Sequence, residues 1–334
     1  MDRFPAFLVK IRTCYAHRMH AASAAATEKN RSTLAHLLML AVVFIWGTTF
    51  VLVKDALTDI SPLLFNLLRM AIATICLAAI YGRRLAGLNR KTILAGAVVG
   101  FFLAMGYQFQ TAGLRLTTPA KSAFITGLVV VIVPMLLIFP RLRPAGSHAP
   151  SWNAYLGAVL AFTGIVLLTT PAHGALDFHT ANLGDLLSLG CAFGFAFHML
   201  ALAHFSPRFP FEQLAVLQVG FATLFMALSL PIFEHPHLHL SARVWIAIAI
   251  AAVLATAAAF TIQSWAQQYL PATHTALLLT LEPVFAWLTS FVVLRERLGL
   301  RSGSGALLIL AGIAVTELIP ARIQATAHEA APIL

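Results

Sequence analysis

Ten apolar segments follow one another almost without interruption along this chain, and that pattern places its fold in a bilayer. They fall at about 34–53, 62–81, 92–114, 119–139, 151–171, 183–203, 212–233, 242–270, 271–294 and 301–320. Each is close to the ~20 residues a helix needs to cross ~30 Å of hydrocarbon. A surface helix of a water-soluble domain has one apolar stripe, whereas most of these segments are apolar all round. The sequence therefore predicts an all-α polytopic membrane protein of ten transmembrane helices, with connections too short for a separate soluble domain.

Composition agrees. The chain is 60% hydrophobic and 10% charged, against about 25% charged residues in soluble domains. Its net charge of +10 does not point to nucleic acid, because the basic residues sit in short loops and in the N-terminal tail, where insertion of a membrane protein uses them. Cys14, Cys76 and Cys191 show neither metal spacing nor a disulfide framework. His235-Pro-His-Leu-His239 lacks a fourth ligand, and no Walker-type phosphate loop is present. No metal and no cofactor is expected.

Ten spans put both ends of the chain on one side. The tail's Arg3, Lys10, Arg12, Arg18, Lys29 and Arg31 join Arg83, Arg84, Arg90, Lys91, Arg141, Arg143, Arg208 and Arg322 there, fourteen basic residues in all. Lys54, Arg115, Lys121, Arg243, Arg295, Arg297 and Arg301 are the seven opposite. The positive-inside rule then makes both termini cytoplasmic. The bias comes from the first half; in the second half two basic residues lie inside and four outside. An inverted second copy accounts for the conflict, since an odd number of helices flips a repeat.

The chain carries signs of such a copy. Gly157-Ala-Val-Leu-Ala-Phe-Thr-Gly164 parallels Gly305-Ala-Leu-Leu-Ile-Leu-Ala-Gly312. The elbow at Gly113–Ala123 parallels that at Ala266–Ala276, which sets Gln110 on Gln263 and Lys121 on His274. Segments two and seven align with Arg69 on Gln218. The expected organisation is a disordered cytoplasmic tail at 1–33 (shorter if translation starts at Met19), repeats at 34–171 and 183–320, and a cytoplasmic tail at 321–334. The GxxxG pairs Gly96/Gly100 and Gly190/Gly194 are expected to bring helices together inside the bundle.

Trp46-Gly-Thr-Thr-Phe-Val-Leu-Val-Lys54 followed by Ile60-Ser-Pro-Leu-Leu-Phe-Asn-Leu-Leu-Arg69 resembles the opening of an EamA domain of the drug/metabolite transporter superfamily. Thr117-Thr-Pro-Ala-Lys-Ser-Ala-Phe-Ile-Thr-Gly-Leu is similar to that family's fourth helix. Leu281-Glu-Pro-Val-Phe-Ala, Arg295-Glu-Arg-Leu, Gly305 and Gly312 match the end of a second such domain. The resemblance spans 34–320 and implies a ten-helix inner-membrane carrier, commonly an exporter of amino acids, metabolites or drugs. One departure is Pro140-Arg-Leu-Arg143, which lacks the acid that Glu296 supplies in the second repeat.

Ionisable groups deep in a bilayer are costly, so each is a functional candidate. Arg69 lies about 10 Å into its segment at 1.5 Å per residue. It reads as an anchor for a substrate carboxylate or for a buried acid, or as a cap on carbonyls at a helix break. Glu282, beside Pro283, is the candidate for proton coupling, with His198 as a second titratable group; in the first repeat Val133 precedes the corresponding Pro134. Gln110, Lys121, Gln263 and His274 are the candidate substrate ligands, with Trp46 and Trp265 as walls. Gln110 and Lys121 are expected in an outer vestibule, Gln263 and His274 in an inner one. Asn66, Gln108, Gln218 and Gln267 read either as further ligands or as ties between helices.

These residues favour a secondary transporter of small metabolites working by alternating access over an enzyme, and the resemblance implies an exporter of amino acids or related compounds. An intramembrane enzyme acting on lipid or isoprenoid would need clustered acids, and a passive channel a ring of like subunits. The partners are a small-molecule substrate and membrane lipid, not nucleic acid; a coupling proton and a second copy of the chain stay open. A cysteine placed at His237 on a cysteine-free background is expected to react with an impermeant thiol reagent added outside intact cells. Labelling only after permeabilisation would reverse the topology.

Overall fold

The computed structural model describes the backbone of residues 4–144, 149–169, 182–270, 275, 278–279 and 281–318 and the side chains of 30–144, 149–168, 182–270, 275, 278–279 and 281–315. Among them lie α1 (Phe4–Ala56), α2 (Pro62–Tyr81), α3 (Arg90–Leu116), α4 (Pro119–Thr126), α5 (Val129–Leu136), α6 (Trp152–Thr169), α7 (Leu183–Phe205), α8 (Phe211–Phe233), α9 (Ala242–Ala252), α10 (Ala259–Ala266), α11 (Glu282–Leu294) and α12 (Leu300–Leu318). A π-helical turn, Val253–Ala258, joins α9 to α10. One isolated antiparallel bridge, Ile60 to Leu238, is the β-pairing among the described residues. Among the described residues seven spans are long and apolar enough to cross a membrane, from Asn30–Ala56 to Ala242–Ala266, and three apolar helices are shorter. Together they match the ten expected segments.

Local chemistry sets the ends. Pro62 and Pro119 occupy the first turns of α2 and α4, where a missing N–H costs no hydrogen bond. Asn89, Thr118, Asn182 and Ser241 accept from backbone N–H groups at the starts of α3, α4, α7 and α9, satisfying donors a helix leaves open. Three expected spans are not single α-helices. The fourth breaks at Gly127–Leu128 between α4 and α5, the eighth contains the π turn, and of the ninth the continuous helix is α11, which starts at Glu282. α1 is helical from Phe4, through the stretch expected as a tail.

The halves are interleaved. α3 packs on α7 and α8, α2 on α8, α1 on α11 and α10, and α6 on α12. Corresponding residues of the two repeats meet. The register that sets Arg69 on Gln218 also sets Thr74 on Thr223, and these two hydroxyls are 2.9 Å apart. The glycine motifs of segments five and ten pack on one another. A Cβ on Gly164 would lie 2.6 Å from Gly305 O, and one on Gly312 the same distance from Gly157 O. Gly96 and Gly100 face α8, and Gly194 meets Gly106 of α3, so the GxxxG pairs serve contacts within the chain, as expected.

The connections after α1, α3, α8 and α11 gather at one end of the bundle. There Ser61 N donates to His237 O at 3.1 Å and His239 N to Asp59 O at 2.7 Å. Glu234 accepts from Leu63 N and Leu64 N at the start of α2. Asp59 accepts from Ser241 and pairs with Arg243. The Ser241 hydroxyl first, and the Arg243 charge with it, hold the Asp59 carboxyl below its ordinary range. At the other end Gln213 Nε2 donates to Arg84 O at 2.9 Å.

The close approach of α6 and α12 gives a controlled comparison. A Cβ on Gly305 would fall 2.6 Å from Gly164 O, whereas one on Gly303 would meet nothing within 4 Å. Gly305→Val is expected to destabilise the purified protein by about 1–3 kcal/mol, and Gly303→Val to leave it unchanged. Thermal unfolding in detergent, compared between the two variants, checks this.

Candidate functional site

Four helical faces converge on one cavity. On α1, Trp46, Thr49, Phe50 and Val53 line it; on α3, Tyr107, Gln110, Thr111 and Leu114; on α7, Phe195, His198 and Met199; on α10, Phe260 and Gln263. The spacings i, i+3, i+4 and i+7 are those of one helix face. Arg69 of α2, Thr126 of α4, Val129 of α5, Leu279 and Glu282 complete the lining of a space of about 700 Å³, its open mouth included.

The walls are aromatic. Trp46 and Phe260 have ring centroids 5.5 Å apart, Tyr107 and Phe195 5.1 Å, Tyr107 and Phe260 6.0 Å, and His198 and Phe260 5.6 Å. The register that sets Gln110 on Gln263 sets Tyr107 on Phe260 and Val129 on Glu282. Each pair contributes both members to the same cavity, so inverted elements build its two sides. The pair Val129/Glu282 replaces the expected correspondence of Val133 with Glu282. In segment four the break that faces the cavity is at Gly127, not at Pro134. A Cβ on Gly127 would lie 2.8 Å from Pro283 Cγ, and one on Gly47 the same distance from Glu282 O, so glycines let α1 and the α4–α5 break close around the start of α11.

Arg69 is 3% exposed. Its Nη2 donates to Thr256 Oγ1 at 2.9 Å and to Ala251 O at 3.5 Å, and its Nε to Thr256 Oγ1 at 3.2 Å. The guanidinium carbon stands 4.3 Å over the Tyr107 ring, and Nη2 reaches the Tyr107 hydroxyl at 3.4 Å. The carbonyl end of a helix carries partial negative charge, and a π turn displaces carbonyls from their usual partners. Arg69 occupies that position at the end of α9. Trp46 serves the same turn, its Nε1 donating to Ala255 O at 2.8 Å. Among the described residues Arg69 pairs with no carboxylate; of the three readings open from the sequence, its contacts are those of a cap at a helix break.

The remaining candidates divide. His198 Nε2 lies 2.9 Å from Gln218 Oε1, and Gln218 Nε2 donates to Ser264 at 2.9 Å. Gln110 and Gln263, expected in opposite vestibules, share the one cavity, because each stands one turn from the aromatic of its own helix. Lys121 is not in the lining. Its Nζ is 3.0 Å from Asp185 Oδ2, and Asp185 also accepts from Thr117. Trp265 packs on Tyr269 beside Ala35 and Met39, outside the cavity. His274 lies outside the described residues. Asn66 and Gln108 act as ties, Asn66 to the Tyr107 carbonyl and Gln108 to Ser229. Gln267 keeps both amide atoms buried and unpaired.

Sequence reasoning missed Tyr107, Phe195, Phe260 and Thr256, which are ordinary residues in apolar helices, although the repeat register marks Tyr107 once Phe260 is noticed. It also missed Asp185, and the capping role of Lys54, whose Nζ donates to Leu114 O at 2.8 Å, Arg115 O at 3.0 Å and Thr117 O at 2.9 Å at the end of α3.

Comparison with known proteins agrees with this architecture. The model of the EamA-like transporter family matches residues 33–170 and 182–318, one match per repeat. An uncharacterized transporter of Archaeoglobus fulgidus is 32% identical over 293 residues, covering 85% of this chain and 86% of its own. The uncharacterized transporter YoaV of Bacillus subtilis is 23% identical over 286 residues, covering 82% and 94%. A solved crystal structure superposes with a TM-score of 0.63 at 20% identity, over 86% of this chain and 97% of that one, and supports the fold. The two matched repeats and the helices that carry them place this chain in the EamA-like transporter family, as a multi-pass membrane transporter.

Proposed function

We propose that the protein is a secondary transporter of the cell's inner membrane, with both termini cytoplasmic, that exports amino acids or related small metabolites by alternating access. The observation that carries this reading is a cavity walled by repeat-related residues on oppositely directed helices. A carrier needs a site that two pseudo-equivalent bodies close in turn from opposite sides. The interleaving defines those bodies as mixtures of the halves. One is α1 with α9, α10 and α11; the other is α7 with α3, α4 and α5. Arg69 of α2 then acts as a positioning residue for the π turn, while Trp46, Gln110, Gln263, His198 and Glu282 face the substrate or its coupling proton.

The basic residues support the orientation. On the side assigned to the exterior, Arg243 is paired with acids, Lys121 with Asp185, and Lys54 with carbonyls. At that end the two bodies are tied by Lys54 on the α3 carbonyls and by Glu296, which accepts from Ala120 N at 3.4 Å and from Ser290. The acid absent from the Pro140–Arg143 loop is thus used here, at the start of α4, to hold this end shut.

Lys54→Met is expected to loosen the exterior end. A cysteine at Gln110 or at Gln263 should then react several-fold faster with an impermeant reagent added outside and more slowly with one added inside. Equal rates in the Lys54→Met and parent backgrounds would remove the gate. Saturating substrate should likewise move inside and outside reactivity in opposite directions at both positions, since both face one cavity.

Arg69→Ala is expected to lower transport of a radiolabelled amino-acid panel in proteoliposomes by at least about tenfold, with Arg69→Lys restoring part. An ammonium reproduces the charge but not the planar group that spans Thr256, Ala251 and Tyr107. Normal transport by a correctly inserted Arg69→Ala protein would refute the positioning role.

A further inference from the structure

The cavity's polar groups are unequal in what they leave for a ligand. Several of the donors around it are spent on the protein. Trp46 Nε1 serves Ala255 O, the Thr49 and Thr111 hydroxyls serve Trp46 O and Asn66 Oδ1, and Arg69 directs Nε and Nη2 at Thr256 and Ala251. The Arg69 charge itself sits between the carbonyl end of α9 and the face of Tyr107. Arg69 Nη1 and the amide nitrogens of Gln110 and Gln263 make no hydrogen bond among the described residues, and acceptors are open beside them. Gln263 is 2% exposed, and its Oε1 is buried without a hydrogen-bond partner. Leaving such an atom unpaired is unfavourable, and a donor on a ligand would recover that cost. Among the described residues the Glu282 carboxylate, the one acid in the lining, has no hydrogen bond or ion pair, and Val129 gives it no charged counterpart in the other repeat.

We infer that the cavity recognises an organic amine: a protonated amino group set between Glu282 and Gln263 Oε1, on a flat apolar body held by Trp46, Tyr107, Phe195 and Phe260. An ammonium supplies several N–H donors and no acceptor, which suits the open Gln263 Oε1 and the one acid of the lining. Aromatic faces attract cations in a desolvated site. A carboxylate in the same place would face Glu282 and leave Gln263 Oε1 unpaired. The inference rests on the transport reading for its biological use and narrows it: within amino acids and related compounds, the amino end is the recognised part and the carboxylate is dispensable.

The test is binding to the purified full-length protein in lipid nanodiscs by calorimetry. Three probes of one shape are compared: 2-phenylethylamine, its N-acetyl derivative and 3-phenylpropionate. The amine is expected to bind at least about tenfold more tightly than either other probe, and Glu282→Gln and Gln263→Leu each to weaken the amine several-fold, while Glu282→Gln, which removes the charge a carboxylate would face, does not weaken 3-phenylpropionate. A smaller preference in the parent protein, a preference for the carboxylate, or no binding of the amine at millimolar concentration overturns the inference. Amine affinity unchanged in a well-folded Glu282→Gln protein does so too. Should that variant fail to fold, the three probes on the parent protein decide alone. The cysteine accessibility measurements separate the two readings: lost amine preference with intact opposed accessibility removes this inference only, and the reverse removes alternating access only.

Discussion

The guanidinium of Arg69 closes an opening in a helix from the other half of the chain, and the cavity depends on that closure. The π turn at Val253–Ala258 widens its helix and turns Phe260 and Gln263 toward the centre. A widened turn in hydrocarbon leaves carbonyls that no water can reach, each a cost of several kcal/mol if unmet. Arg69, the Thr256 hydroxyl and the Trp46 indole meet them. The same contacts hold Tyr107 against the guanidinium and so fix the opposite wall. A costly charge and a costly backbone irregularity thus relieve one another.

Lys54 repeats the device at the end of α3, where three carbonyls share one ammonium. Basic groups near the cavity are consumed by helix ends, while the acid at the start of α11 is left facing the space between the bodies. The electrostatics of the centre follow from this division more than from a count of charges, because Arg69 contributes a charge to the sum but directs its bonded donors at the protein.

The ten segments, their inverted repetition and the family were legible because hydrophobic length and Gly/Pro punctuation are written residue by residue. Arg69, Trp46, Gln110, Gln263, His198 and Glu282 stood out as polar or bulky groups in apolar runs, and all six line the cavity. The errors have physical causes. Lys121 looked like a ligand because its partner, Asp185, lies 64 residues away and no local pattern joins them. Trp265 follows Gln263 by two positions, which turns it to another face of the helix. The π turn Val253–Ala258 contains no Gly or Pro, so nothing in the sequence marks it; what accompanies it is the tertiary contact with Arg69. Interleaving of the halves was equally hidden, since a repeat in sequence says which elements correspond, not which ones touch.

The separation of Arg69 from Ala251, 182 residues, has a consequence for biosynthesis. At about 5–20 residues per second, α2 is made roughly ten to forty seconds before the carbonyl that receives its charge exists. Tyr107, 38 residues on, arrives much sooner. For that interval the nascent first half carries an uncompensated cation at a depth where lipid does not tolerate one, so the aromatic ring or the insertion machinery has to shelter it. Completion of the eighth segment is therefore the step that commits the early helices to their final depth. Defects in the later half would first be felt as misplacement of α2, far upstream of the lesion.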